Sequence, residues 1–157
     1  MNILEIREFV KEKHKNQTRK QGTPYYLHPF AVADILEKMG FDENYQIAAL
    51  FHDLLEDTDV TYEELINLSN LEIANAVKLL TKKENYIMSN YIEEISQNKM
   101  ATAIKLADRL HNISEVHLAA PEFRAKYLKE TKEWFLELAK DTPFAIKLTE
   151  LLDDLML

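Results

Sequence analysis

Cysteine is absent from the 157 residues, which excludes disulfides and thiolate metal sites and is compatible with a reducing compartment. Glycine occurs only twice and proline four times, so few positions break or redirect the chain. Together with abundant Leu, Ile, Ala, Glu and Lys, this composition favours helices. No β-type alternation of useful length accompanies it, and there are no internal repeats or low-complexity tracts. Long apolar runs are missing as well. Nothing approaches a membrane span, and the opening M-N-I-L-E-I-R-E-F-V carries Glu5, Arg7 and Glu8 where a secretory segment would be apolar. The expectation is a cytoplasmic protein with no membrane partner. Basic residues are in deficit, 19 against 27 acidic, for a net charge of −8. That balance argues against general nucleic-acid binding, which relies on neutralising phosphates. The length predicts one domain over 1–157, long enough to bury a substantial core without staples.

The stretch from Ile47 to Asp57, I-A-A-L-F-H-D-L-L-E-D, organises the rest. Its first five residues are apolar without a break, as in a helix buried on all sides. Read as one helix, it pairs His52 with Glu56 and Asp53 with Asp57 at i,i+4, on two neighbouring faces. Burying carboxylates beside an imidazole costs several kcal/mol per uncompensated charge, and a cation is the natural compensation. His52 and Asp53, set between Phe51 and Leu54-Leu55, are therefore candidate metal ligands. Asp57 and Asp59 taken alone fit a solvated helix end equally well.

Upstream, Ile3, Ile6 and Val10 form one helical stripe over residues 2–14. Lys11 to Lys20 is the one strongly basic patch; by charge alone it reads as a solvated helix end, lysines being favourable at a C-terminal dipole. Gly22-Thr23-Pro24 marks a turn, and Tyr25-Tyr26-Leu27 suggests a short extended approach. Pro29 at the first helical position would put His28 at the cap of a helix over 29–39, with Gly40 as its terminator. Alone, His28 reads as a cap. Asp42 can cap the next helix, Thr61 and Glu64 can form a capping box, and 81–90 reads as a polar loop carrying Lys82 and Lys83. Further helices are expected near 89–97, 99–117, 121–139 and 143–156. Trp134, Phe135, Leu138, Phe144, Ile146 and Leu148 are assigned to packing.

Helix 99–117 carries a second chemical cluster, K-L-A-D-R-L-H-N. Asp108, Asn112 and Glu115 share one face, beside a buried stripe of Ala103, Leu106, Ala107, Leu110 and Ile113. A partly buried Asp108 needs a partner; a basic side chain such as Arg109 and a metal ion serve equally well.

The segments R19-K-Q-G-T-P-Y-Y-L-H28-P, A48-A-L-F-H52-D53-L-L-E56-D57-T and K105-L-A-D108-R-L-H-N112 together resemble the hydrolase domain of the RelA/SpoT alarmone family. That domain belongs to the HD phosphohydrolase superfamily. The resemblance spans about residues 10 to 135 and implies an all-α fold, a single HD-domain helical bundle. It implies His28, His52, Asp53 and Asp108 as ligands of one divalent metal, usually manganese (Mn2+). It implies Glu56 and Asp57 as the pair that activates or orients the attacking water. Arg19 and Lys20 match the pair that packs on the base and phosphates, and Asn112 a residue that contacts the ribose. The implied reaction is hydrolysis of the 3′-pyrophosphate of (p)ppGpp to GDP or GTP and pyrophosphate, with that nucleotide as partner. The layout is similar to stand-alone small alarmone hydrolases, without synthetase or regulatory domains.

Several positions depart from the family pattern. Ile113, Ser114, Glu115 and Val116 stand where the long enzymes continue M-R-T-L, and Asn16 stands where Gly is common. Glu115 is expected to repel a phosphate-rich ligand unless it swings away, is protonated, or pairs with a lysine such as Lys82 or Lys83. An HD hydrolase of another phosphorylated nucleotide, such as an NADPH phosphatase, and a catalytically silent nucleotide-binding module are the alternative functions. The Glu56-Asp57 pair weighs against the silent module.

Overall fold

Helix α3 (Glu43–Phe51) is the spine of the computed structural model, which describes residues 1–155. Ile47, Ala48, Ala49, Leu50 and Phe51 are all buried, because helices close on α3 from every side. These are α1 (Ile3–Lys13), α2 (Leu27–Lys38), α6 (Leu71–Leu80) and α8 (Lys99–Ser114). The short α4 (Leu54–Asp57) and α5 (Tyr62–Leu68) lead from α3 to α6, and α7 (Met88–Ser96) leads to α8. The chain closes with α9 (Pro121–Glu130), a π-turn over Thr131–Phe135, α10 (Leu136–Ala139) and α11 (Ala145–Leu155). Among the described residues the only β feature is an isolated bridge between Thr18 and Pro24. The fold is all-α, as the composition predicts.

Local signals set most boundaries. Asn2, Asp42, Thr61, Asn70 and Asn98 each accept a backbone N–H at the start of a helix, satisfying a donor that has no intrahelical partner. Thr61 caps in one direction only; Glu64 does not reach back to the cap backbone. Gly40, at φ +87°, ends α2 with paired bonds from Gly40 N to Glu37 O and from Phe41 N to Leu36 O. Only a residue tolerant of positive φ makes that termination without strain.

Four expectations need correction. α2 begins at Leu27, so His28 lies inside the first turn rather than at its cap, and Tyr25-Tyr26 form a turn rather than an extended approach. Pro29 is still tolerated, since first-turn N–H groups have no intrahelical acceptor to lose. α8 stops at Ser114 and passes into a 3-10 turn, Val116–Leu118. The helix expected over 121–139 is present along its whole length, widened into a π-helical turn at Thr131–Phe135. Ile146 is 71% exposed, whereas Phe135, Phe144 and Leu148 are buried as expected.

Candidate active site

Three core helices meet at one point. α2 contributes His28, the C-terminal end of α3 contributes His52, and α8 contributes Asp108; all three are buried. His28 Nε2 lies 2.6 Å from Asp108 Oδ1, and His52 Nε2 lies 3.3 Å from the same oxygen. His52 Nε2 is also 3.1 Å from Asp53 Oδ2.

The stretch from Ile47 to Asp57 is not the single helix its periodicity suggests. α3 ends at Phe51, His52 N–H bonds Ala49 O at 3.2 Å, and Asp53 (φ −103°, ψ −2°) separates α3 from α4. In an unbroken helix adjacent side chains diverge by roughly 100°. The break lets His52 and Asp53 face the same point.

His52 has its orientation set from behind. Its Nδ1 donates to Ala49 O at 2.6 Å, which leaves Nε2 directed at the carboxylates. A hydrogen on Nε2 would meet neither carboxylate in alignment. Burial opposes charge on His52, but Asp53 and Asp108 outweigh it and hold its pKa well above the usual imidazole range. Burial likewise opposes ionisation of Asp53 and Asp108, yet His52 and His28 hold both carboxyls below their ordinary values. The cluster demands positive charge at a spot where a proton is poorly aligned. Two imidazoles and hard carboxylate oxygens fit a divalent ion that accepts N and O donors.

An acidic group adjoins this cluster. Asp53, Glu56 and Asp57 bring carboxylate oxygens within 4.8 Å of one another. Asp57 is exposed at the surface, yet partial desolvation first, then the negative charges of Asp53 and Glu56, push it up to about 6. Glu56 Oε1 accepts the backbone N–H of Lys82 at 2.7 Å, so the 81–87 loop orients it. Tyr25 O–H donates to Asp53 Oδ2 at 2.6 Å, and burial followed by Asp53 raises the phenol's pKa.

Beyond Tyr25 opens a cleft of about 300 Å³ lined by Arg19, Lys20, Gln21, Asn112, Phe123 and Tyr127. Arg19 Nη2 donates to Asn112 Oδ1 at 3.0 Å, and Lys20 Nζ lies 4.5 Å over the Phe123 ring. The cleft thus joins cationic and flat apolar surfaces beside the acidic cluster. Such a surface suits an anionic ring-bearing ligand.

Glu115 does share the Asp108 and Asn112 face, but it pairs with neither Lys82 nor Lys83. Arg19 Nη2 is 3.5 Å from its Oε1, Gln21 Nε2 donates to its Oε2 at 3.2 Å, and His111 Nε2 is 3.0 Å from its Oε1. Its charge is compensated inside the cleft, which removes the ground for repulsion. Lys82 instead lies over the rings of Tyr86 and Tyr91.

Arg109 is not the partner of Asp108. Its guanidinium points away, 3.0 Å from Glu130 and 3.7 Å over the Phe135 ring. Lys105, one turn earlier on α8, is the basic neighbour, 3.7 Å from Asp108 Oδ2. Sequence reasoning missed Tyr25, Lys105 and His111. The spacing of Lys105 and His111, three residues either side of Asp108, was the available signal; nothing local singles out Tyr25. His111 stacks on His28 with ring centroids 5.0 Å apart, and its Nδ1 is 2.7 Å from His28 Nδ1. Burial first, then the proximity of His28, pushes His111 down to about 4.

Comparison with known proteins follows the same lines. The family described as "HD domain" matches residues 7–143. A guanosine-3′,5′-bis(diphosphate) 3′-pyrophosphohydrolase of Aquifex aeolicus is 43% identical over 141 residues, covering 84% of this chain and 20% of that protein. The chain thus spans about a fifth of the length of the curated relatives it first matches. The zebrafish (Danio rerio) 3′-pyrophosphohydrolase MESH1 is 34% identical over 148 residues, and 82% of its length is covered. A solved metazoan orthologue of SpoT, described as hydrolysing ppGpp, superposes with a TM-score of 0.83 at 28% identity over 96% of this chain and 93% of its own.

Proposed function

This chain belongs to the HD-domain family, and we propose that it hydrolyses the 3′-pyrophosphate of guanosine 3′,5′-bis(diphosphate) to GDP and pyrophosphate in the cytoplasm. The observation that carries this reading is the convergence of His28, His52 and Asp108 beside the Asp53, Glu56 and Asp57 carboxylates, next to a cationic and aromatic cleft. The 34% identity to MESH1 over most of its length supports the substrate.

His28, His52, Asp53 and Asp108 would hold one divalent ion, for which Mn2+ is our proposal. When bound, that ion supplies the positive charge that polarises a phosphoryl oxygen and acidifies water. Glu56 and Asp57 then share the proton of the attacking water, Asp57 with a pKa lifted towards neutrality. Water adds to the phosphorus borne by the ribose 3′-oxygen. The P–O3′ bond breaks, pyrophosphate departs, and the 3′-oxygen leaves as a hydroxyl after taking up a proton. Arg19 and Lys20 hold the base and phosphates, and Asn112 the ribose. Fixing the substrate in this way converts the attack of water into a step within a preformed complex.

The test is a Mn2+-supported assay of pyrophosphate release from ppGpp, run beside phosphate release from NADPH. Turnover of ppGpp that is abolished in His52→Ala is expected. Turnover of NADPH alone would overturn the substrate assignment while leaving the hydrolase intact.

A further inference from the structure

A second imidazole stands behind one metal-facing histidine. His28 Nε2 faces Asp108 at the centre of the cluster, and on its far side His28 Nδ1 lies 2.7 Å from His111 Nδ1. At that distance one hydrogen must lie between the two nitrogens. His111 Nε2, in turn, lies 3.0 Å from Glu115 Oε1. That oxygen is buried, and its nearest nitrogen is His111 Nε2, close but not in hydrogen-bond alignment; Arg19 Nη2 is farther, at 3.5 Å. A bare ring nitrogen so close to a buried carboxylate oxygen would set two lone pairs against each other, so His111 carries its hydrogen on Nε2. Its Nδ1 is then an acceptor. The hydrogen between the rings therefore belongs to His28 Nδ1; any hydrogen on Nε2, 2.6 Å from Asp108 Oδ1, is then a second one, and its loss on cation binding leaves a neutral ligand nitrogen.

We propose that His111 and Glu115 are positioning residues that lock His28 in the tautomer able to bind the ion, and that the same Glu115 carboxylate anchors Arg19 and Gln21 of the nucleotide cleft. The proposal rests on His28 being a metal ligand. Without the pair, His28 can instead keep its hydrogen on Nε2 and donate it to Asp108, 2.6 Å away, closing the site against a cation. Stacking of His111 on His28 adds a restraint on ring tilt. Outer partners of ligand histidines act in this way, by fixing tautomer and orientation.

MnCl2 titration of metal-free protein, followed calorimetrically, tests the relay without reference to activity. His111→Phe keeps a stacking ring but no acceptor and is expected to weaken Mn2+ binding about tenfold to a hundredfold. His111→Asn puts an amide oxygen near the place of Nδ1 and should recover most of that loss. Equal losses in Phe and Asn, or wild-type affinity in Phe, overturn the relay. His28→Ala is the control on the underlying reading: undiminished binding there removes the ligand assignment and the relay with it. Long-range 1H–15N spectra of the metal-free wild type give a second readout that does not depend on any variant folding. They should show a hydrogen on His28 Nδ1, and its loss in Glu115→Gln; a wild-type His28 with no hydrogen on Nδ1 overturns the proposal.

Discussion

Tyr25 O–H and Asp53 Oδ2 are 2.6 Å apart, and the same oxygen stands 3.1 Å from His52 Nε2. One phenol thus links the turn after the basic loop to the break between α3 and α4. Tyr25→Phe removes the donor and leaves a partly buried carboxylate with one partner fewer. The expected cost in metal-free protein is about 1.5–3 kcal/mol, the usual worth of a hydrogen bond to a charged group. Urea denaturation in the presence of EDTA measures it; an unchanged midpoint would mean that Asp53 is satisfied without Tyr25.

Glu56 is held by the Lys82 backbone N–H rather than by the His–His–Asp cluster. Glu56→Gln keeps shape and can still accept that bond, but it cannot take a proton. Turnover is expected to fall about a hundredfold or more with Mn2+ content retained. Near-normal kcat in this variant would reduce Glu56 to a polar helix end.

Asp57 supplies a pH signature. Its folded pKa, about 6, lies above the ordinary carboxylate value. The protonated form is therefore favoured by folding; the contribution is fully present below about pH 4 and is lost as pH rises through about 6. Asp57→Asn removes that loss. In EDTA, the variant should gain stability relative to wild type between pH 4 and 7, and gain nothing further above that range. A stability difference that is flat across this interval would contradict the raised pKa.

Arg19 and Lys20 differ in their surroundings and should differ in effect. Arg19 is fixed by Asn112 and Glu115, so Arg19→Ala is expected to raise KM about tenfold to a hundredfold with a smaller change in kcat. Lys20, over the Phe123 ring, should contribute up to about fivefold, and its effect should shrink as salt rises. Unchanged KM in both variants at low salt would return the basic loop to a solvated helix end.

Much of this was legible in the chain. Helix content, the buried run over Ile47–Phe51, and the caps at Asp42 and Gly40 follow from local propensities and periodicity, which act over a few residues. The gathering of His28, His52, Asp53 and Asp108 was anticipated through the order of three motifs. Residue type and spacing alone nominate only His52 and Asp53; His28 and Asp108 joined them through the resemblance of the three motifs to a known family, and none of this says which side chains face each other.

Tertiary structure decided the rest. The break at His52-Asp53 carries no proline or glycine to announce it; it exists because packing turns both side chains towards Asp108. Glu115 was read as an uncompensated charge, since Arg19 lies far from it in sequence and their 3.5 Å contact forms only when the 15–26 loop folds over the end of α8. His111 and Lys105 stood beside Asp108 in the sequence, yet only the crossing of α2 over α8 puts the first behind His28, and only the buried setting of Asp108 makes the second its neighbour. The sequence by itself determined which helices form and which chemical groups they carry. Long-range packing, which no local pattern encodes, determined which of those groups share a charge, a proton or a ligand.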